Sequence, residues 1–464
     1  MQTIDMDKKI LEFPKGFLFG SSTAAFQVEG DIGERRTDWD IFLRNNPHIV
    51  LPGQKGPEWW IKGKAEDDLT TMSQLGLKMQ RISFEWGRIE PEQGYINYEA
   101  IKRYKEIIAK IIELGMIPMV TLNHYVLPQW VAREGSWNSS KTVGYFTHYV
   151  TFMVGMFPEI EYWITLNEPN IQLITGYLTK YTPPQSGNLI SALRGYKHMI
   201  AAHKRAYHVI KELNSKAKVS MAFAFRWDRP ENPNDFFEKW YTKIVNYYSE
   251  LVYIWDTNKT LDYIGVNYYT GYFLDLNLRK IKISLGPSKD RIPQTILFGE
   301  MKAPNAYDTD YGWPIVPDFL LNLLRYLKRY FNKPIIITEN GIADHTDHLR
   351  AFYILTHLVA VWQAINEGVD VQHYLQWSVI DNLEWTEGYT KRFGIIANNP
   401  TSGERTLRHS AGLYKEIATS GTIDVNYLLD KYLKDEKREK AIEIIDHLLK
   451  GVITYDTIGP VEGQ

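Results

Sequence analysis

Two glutamates in this 464-residue chain are placed where carboxylates could do acid–base and nucleophilic work: Glu168 in Thr-Leu-Asn-Glu-Pro-Asn and Glu339 in Ile-Thr-Glu-Asn-Gly. Each closes a short apolar run, and each lies beside an asparagine. Paired carboxylates flanking a bond are what glycoside hydrolysis requires: one stays protonated to donate to the leaving oxygen, and the other stays charged to attack the anomeric carbon. A single glutamate at such a position more often caps a helix or pairs with an arginine. Two in the same setting point to chemistry.

Those glutamates need elements to hold them. Eight apolar runs ending in polar or aromatic residues can be marked: Phe17–Phe26, Leu77–Trp86, Met116–Tyr125, Glu159–Pro169, Lys218–Trp227, Leu261–Thr270, Pro334–Gly341 and Val371–Asp381. Their density of Ile, Val, Tyr and Phe predicts strands buried on both faces. Amphipathic stretches intervene. The clearest is Tyr98–Leu114, with Asn97 as N-cap and Gly115 just past its end. There Ile101, Tyr104, Ile108, Ile111 and Ile112 fall at helical spacing, with Lys102, Arg103, Lys105, Glu106 and Lys110 on the other face. Phe319–Tyr330 and Arg350–Glu367 carry the same signal.

Eight strands alternating with helices predict a (β/α)₈ TIM barrel with long βα loops. A doubly wound sheet is the competing layout, but no glycine-rich phosphate turn follows the first run. In a barrel the chemistry lies at the C-terminal strand ends. Those ends read Gln27, Arg81, Asn123-His124, Asn167-Glu168, Asn267-Tyr268-Tyr269, Glu339-Asn340 and Trp377, a set of hydrogen-bonding and aromatic groups suited to a polyhydroxylated ligand. Plainer readings stand beside each: His124 as a satisfied core histidine, Asn167 as a cap for the Pro169 turn, Trp377 and Trp385 as core aromatics, and Arg81 paired with Glu85 or Glu90.

The bulk composition narrows the classes. Hydrophobic residues are 44% of the chain and charged residues 23%, which permits a large core and argues against disorder. The net charge of −2 comes with no long basic run, so no nucleic-acid partner is expected. With no cysteine, disulfides, thiol nucleophiles and thiolate metal sites are excluded. Met1–Glu12 has no apolar h-region and no stretch is long enough to span a membrane, so the expected compartment is the cytoplasm. Aromatics reach 14%, with 14 Trp and 30 Tyr; sugar C–H faces stack on such rings, though most of them will be core.

Leu-Asn-Glu-Pro-Asn and Thr-Glu-Asn-Gly resemble the signature segments of family 1 glycoside hydrolases, the β-glucosidase and β-galactosidase family. Phe17–Gly30 is similar to that family's first strand, Asn267–Thr270 to its sixth, and Trp377–Trp385 with Arg392-Phe393-Gly394 to its eighth strand and following loop. The match runs in order from about Phe13 to Ile417. The wording at Asn340–Asp344 and at Thr37-Asp38-Trp39 is similar to the archaeal branch. The resemblance implies a retaining β-glycosidase acting on terminal β-D-glucosyl, β-D-galactosyl or β-D-fucosyl residues. It implies Glu168 as acid/base and Glu339 as nucleophile, with carboxyls roughly 5–5.5 Å apart, and Arg81 and Tyr269 beside Glu339 to keep it ionised. Gln27, His124, Asn167, Asn267 and Glu384 would bind the terminal sugar. Trp377 would form its floor, with Trp385 and Phe393 beside it. No cofactor and no metal are implied; the partner is a small β-glycoside or oligosaccharide.

Departures from the pattern are informative. Tyr125 stands where the family usually has tryptophan, which bears on sugar preference. The Cys-Asp-His-Tyr segment common in other members is replaced by Lys64–Asp68. Lys391 matches a lysine that phospho-β-glycosidases use, but their serine is Glu384 here and their tyrosine is Phe393, which favours an unphosphorylated sugar. A transglycosylase and a non-catalytic sugar-binding protein are the other readings. Asp344-His345-Thr346-Asp347-His348 has metal-ligand types and reads better as a helix start. The barrel is expected over residues 1–422. Residues 423–464 form a helical extension whose apolar stripe would pack on the barrel, join a homo-oligomer or touch a membrane surface.

Overall fold

The computed structural model describes residues 10–31, 36–275, 300–302 and 309–450. Residues 1–9 of the N-terminal stretch, 276–299 of the loop after the sixth strand and 451–464 of the extension therefore lie outside the described residues. Each of the eight apolar runs contains a strand: Leu18–Ser22 (β1), Met79–Ser83 (β2), Ile117–Asn123 (β3), Tyr162–Asn167 (β4), Lys218–Phe225 (β5), Ile264–Tyr268 (β6), Ile335–Asn340 (β7) and Val371–Gln376 (β8). They pair in parallel, and the sheet closes in the order β7-β8-β1-β2-β3-β4-β5-β6.

A helix follows every strand: Lys64–Gln74 (α1), Tyr98–Glu113 (α2), Lys141–Met156 (α3), Leu189–Leu213 (α4), Phe236–Asn246 (α5), Pro317–Phe331 (α6), Arg350–Asn366 (α7) and His409–Ser420 (α8). Asn97 does cap α2, its side chain accepting from the Ala100 N–H. Two faces of α2 differ from the simple pattern. Ile112 is exposed, whereas Arg103 is buried, its guanidinium paired with Glu66 and donating to the Trp59 carbonyl at 3.0 Å. A long cationic side chain can enter a core when its charge is paired and its terminal nitrogens are hydrogen-bonded.

Strand residues alternate. One set packs outward on the helices. The other fills the barrel with Met79, Met119, Ile164, Ala222, Ile336 and Leu375, an apolar plug under the mouth. The strands are shorter than the apolar runs suggested. Chain direction changes early, so Gln27 rides on a helical turn, Ala25–Val28, and Trp377 and Tyr269 stand just beyond β8 and β6.

Thr422–Asp424 pairs antiparallel with Ile10–Glu12, joining the two ends of the described barrel. Two helices follow, Val425–Tyr432 (α9) and Asp435–Leu449 (α10). Leu428, Leu429, Ala441, Ile445 and Leu448 are buried in the main core, α10 packs on α7, and the Tyr432 hydroxyl donates to Glu416 of α8 at 2.7 Å. Among the described residues no helix is long and apolar enough to cross a membrane.

Gly341 is where β7 and the turn after β8 come closest. A Cβ there would lie 1.7 Å from the Trp377 carbonyl oxygen. Gly341→Ala must push the two backbones apart, and overpacking of this kind costs about 1–3 kcal/mol. The expected result is a lower urea midpoint than wild type. An unchanged midpoint would show that the two segments are not in contact.

Candidate active site

Arg81, on β2, is fully buried at the barrel's mouth and bonds in four directions. Its Nε donates to Thr121 Oγ1 at 2.9 Å, Nη1 to the Thr338 carbonyl at 3.3 Å and to Glu339 Oε1 at 2.6 Å, and Nη2 to Asn167 Oδ1 at 2.6 Å. It therefore pairs with Glu339, not with Glu85 or Glu90. A guanidinium can only donate, and that fixes the neighbouring amides. Asn167 must present oxygen to Arg81, so the atom of Asn267 that approaches the same oxygen at 3.1 Å must be nitrogen. That nitrogen also donates to Glu168 Oε1 at 2.8 Å, while Thr338 Oγ1 donates to Asn267 Oδ1 at 2.7 Å. The Asn167 NH₂ then faces His124 Nε2 at 2.9 Å, which makes Nε2 the acceptor and leaves Nδ1–H to donate to Ser83 Oγ at 3.2 Å. Burial beside Arg81 holds His124 well below the ordinary histidine range, so the ring is neutral.

The two carboxyls are bound differently. Glu339, 3% exposed, takes Arg81 on one oxygen and the Tyr269 hydroxyl, at 2.6 Å, on the other. Glu168, at the end of β4 and 8% exposed, takes the Asn267 amide on Oε1 and the Tyr125 hydroxyl on Oε2, and no cation. Burial is the largest influence on both and raises both above the ordinary glutamate range, Glu339 to about 7. Arg81 and Tyr269 pull Glu339 back, and the neighbouring Glu168 pushes it up. Two neighbouring buried carboxyls carry one charge more easily than two. Arg81 beside Glu339 favours the charge there.

Glu168 has φ of +42°, a left-handed backbone that a glutamate adopts only when its surroundings hold it there. The turn sets the head of the short helix Pro169–Gln172 and lets the side chain point over the mouth.

Around this pair stands a polar and aromatic rim. Gln27 Nε2 donates to the Leu383 carbonyl at 2.6 Å and reaches Asn382 and Glu384, leaving its Oε1 buried without a partner among the described residues. Glu384 accepts from the Tyr311 hydroxyl at 3.3 Å; burial first, then Glu339 and Glu168, push its carboxyl up to about 8. Trp377 is nearly parallel to the His124 ring at 6.1 Å between centroids. Trp385 stacks on Phe26 at 6.0 Å and meets Tyr125 edge-on at 4.9 Å.

All of the residues singled out in the sequence come to this end of the barrel, but not all face a ligand. Every bond of the Asn267 amide is directed to Asn167, Glu168 and Thr338. Both His124 nitrogens are engaged, whereas Asn167 keeps one N–H beyond these bonds. Phe393 is buried against Tyr269, Tyr311 and Trp313, behind the floor. Tyr311, Trp313 and Thr338 were not picked out from the sequence. Lys391 donates to the Asp310 carbonyl at 2.6 Å and lies over the Tyr311 ring. Asp344 is buried and caps α7 by accepting from the Leu349 and Arg350 N–H groups at 2.7 and 3.0 Å; among the described residues no group of His, Asp and Glu could hold a metal.

Comparison with known proteins agrees with this architecture. The family model for glycosyl hydrolase family 1 matches residues 10–241 and 249–422. Beta-glucosidase A of Thermotoga maritima is 28% identical over 466 residues, covering 89% of this chain and 99% of that protein. Beta-galactosidase of Sulfolobus acidocaldarius is 30% identical over 485 residues, covering 89% and 96%. Among solved structures, the beta-glycosidase from Pyrococcus horikoshii superposes with a TM-score of 0.80 at 29% identity, over 93% of this chain and all of that one. The Thermotoga maritima beta-glucosidase bound to glucoimidazole gives 0.79 at 26%, over 88% and 99%.

Arg81→Met removes the cation that opposes burial at Glu339. A carboxyl without that cation holds its proton more tightly, so its midpoint should move up from about 7 by about one pH unit or more. Carbon-13 NMR of δ-labelled glutamate reads this, with Glu339→Gln assigning the signal. An unmoved midpoint would show that Arg81 is not the group holding the charge there.

Proposed function

The chain belongs to glycosyl hydrolase family 1, and we propose that it is a retaining β-glycosidase for terminal, unphosphorylated β-D-glucosyl and β-D-galactosyl residues. Glu339 is the nucleophile and Glu168 the acid/base. The observation that carries this reading is the unequal holding of the two carboxyls: a cation and a phenol on Glu339, uncharged donors alone on Glu168.

In the first step the Glu339 carboxylate bonds to the anomeric carbon while Glu168 gives its proton to the glycosidic oxygen. The C–O bond breaks, the leaving group departs as a neutral alcohol, and the glycosyl-enzyme forms. Glu168, now a carboxylate, takes a proton from water as that water attacks the anomeric carbon and releases Glu339. The oxocarbenium-like charge develops beside the buried Glu339 carboxylate, whose field is strong where burial limits screening.

Four features support the sugar site. The unpartnered Gln27 Oε1 offers a buried acceptor, the spare Asn167 N–H a donor, and Glu384, raised to about 8, can do either for a pair of adjacent hydroxyls. Trp377 offers the apolar face that sugar C–H groups prefer. A 6-phosphate is disfavoured, because the ammonium of Lys391 is directed to Asp310 and Tyr311. The relatives named beta-glucosidase and beta-galactosidase support both sugars. We read residues 423–450 as an extension of the barrel, not a separate domain, because the buried faces of α9 and α10 join the barrel's own core.

Nitrophenyl β-glucoside and β-galactoside should both be cleaved, and proton NMR of the first-formed sugar should show the β-anomer. Glu339→Gln should lower kcat by about 10⁴-fold or more. Glu168→Gln should lower it by about 10²–10⁴-fold on an alkyl glycoside, and azide should restore turnover of the nitrophenyl substrate as a β-glycosyl azide. An α-product, or cleavage of 6-phosphorylated sugars alone, would overturn the assignment.

A further inference from the structure

Tyr125 is tied to one turn of chain at both of its ends. Its hydroxyl donates to Glu168 Oε2, and its backbone carbonyl accepts from Gln172 Nε2 at 2.6 Å. Gln172 is one helical turn beyond Glu168, its N–H bonded to the Glu168 carbonyl at 3.1 Å. Tyr125 itself has φ of +69°, a backbone that turns the ring back from the end of β3 toward β4. The ring is held edge-on by Trp385 at 4.9 Å and by His124 at 5.5 Å.

The amide directions set by Arg81 say which Glu168 oxygen it serves. Asn267 offers an N–H to Oε1, so Oε1 is an acceptor in either protonation state. When Glu168 is neutral its proton therefore resides on Oε2, the oxygen that faces Tyr125. A phenol has both a donor and two lone pairs. It can accept from Oε2–H in the acid form and donate to Oε2 in the base form.

We propose that Tyr125 is the positioning residue of the acid/base: its hydroxyl holds the Glu168 proton on Oε2 before transfer and stabilises the carboxylate left after it. The inference rests on the reading of Glu168 as acid/base. As the Oε2 proton turns from the Tyr125 lone pair to the glycosidic oxygen and the C–O bond breaks, the Tyr125 hydroxyl rotates from acceptor to the donor geometry seen here and itself loses no proton. Its phenol is fit for that, since burial and the charge of Glu168 hold it protonated far above neutral pH. The other charged or titratable groups facing Glu168 are Glu339 on β7, Arg81 on β2, Tyr269 after β6 and Glu384 after β8.

Tyr125→Phe tests this, because it removes the hydroxyl and keeps the ring. Without a donor the Glu168 carboxylate is less favoured, so the alkaline limb of kcat/KM, set by loss of the acid's proton, should move up by about one pH unit. The weaker acid should also cut kcat/KM on an alkyl β-glucoside by about tenfold and on nitrophenyl β-glucoside by less than about threefold, because nitrophenolate leaves with little help from a proton. Tyr125→Trp, which places the donor elsewhere, should give the same shift and supplies the reading where the Phe variant does not fold. A pH profile superimposable on wild type, or equal losses on both substrates, would overturn the proposal. Glu168→Gln is the control: normal activity of that variant on the alkyl glucoside would refute the acid/base assignment itself, whereas a dead Glu168→Gln with an unshifted Tyr125→Phe would refute Tyr125 alone.

Discussion

A guanidinium has five N–H donors and no lone pair, and the mouth of this barrel is organised around that asymmetry. Arg81 is fully buried, so its charge must be met inside the protein. Glu339 meets it. The remaining donors then dictate which atom every neighbour presents: oxygen from Asn167, nitrogen from Asn267 toward both Asn167 and Glu168, and a lone pair from His124 Nε2. One side chain thereby sets the direction of a hydrogen-bond chain that runs across four strands, from Glu339 on β7 through β2 and β4 to Asn267 on β6. A lysine would supply the same charge without the planar fork that fixes these directions.

Burial does the rest of the electrostatic work. In water, two glutamates would both be ionised at neutral pH and nothing would separate their roles. Packed over an apolar plug of Met79, Met119, Ile164, Ala222, Ile336 and Leu375, each is costly to charge, and the guanidinium of Arg81 favours placing the charge on its own partner. The apolar layer that stabilises the barrel thus also raises the cost of charge at its mouth. Tyr269 and Tyr125 complete the division, a phenol for each carboxyl.

Much of this was legible in the sequence, for physical reasons. Strands buried on both faces leave continuous apolar runs, so all eight could be marked, and Asn97 and Gly115 bracket α2 because helix ends need those residue types. Glu168, Glu339, Arg81 and Tyr269 could be placed because strand ends in a barrel converge. What the chain did not disclose depends on direction and on turns. Residue type cannot tell that Arg103 lies inside while Ile112 faces water, since that is decided by Glu66 and Trp59 on another element. Asn267 reads as a ligand group until the orientation forced by Arg81 is known. Tyr311 comes from a long loop with no periodicity, and the role of Tyr125 follows from a positive φ that no side-chain pattern announces. The alternation of Asp310-Tyr311-Gly312-Trp313 was the one available signal for that loop.

The helix α7 links the strand that carries Glu339 to the strand that leads to Trp377, and it has hardly a side in contact with water. Its residues from Arg350 to Val361 are all buried, because α10 covers the face that an ordinary barrel helix leaves exposed. Solvent reaches that helix chiefly at its last turns, at Trp362, Ile365 and Asn366. The helix near the C-terminal end of the described chain thereby acts as a cover over the half of the barrel that holds Glu339.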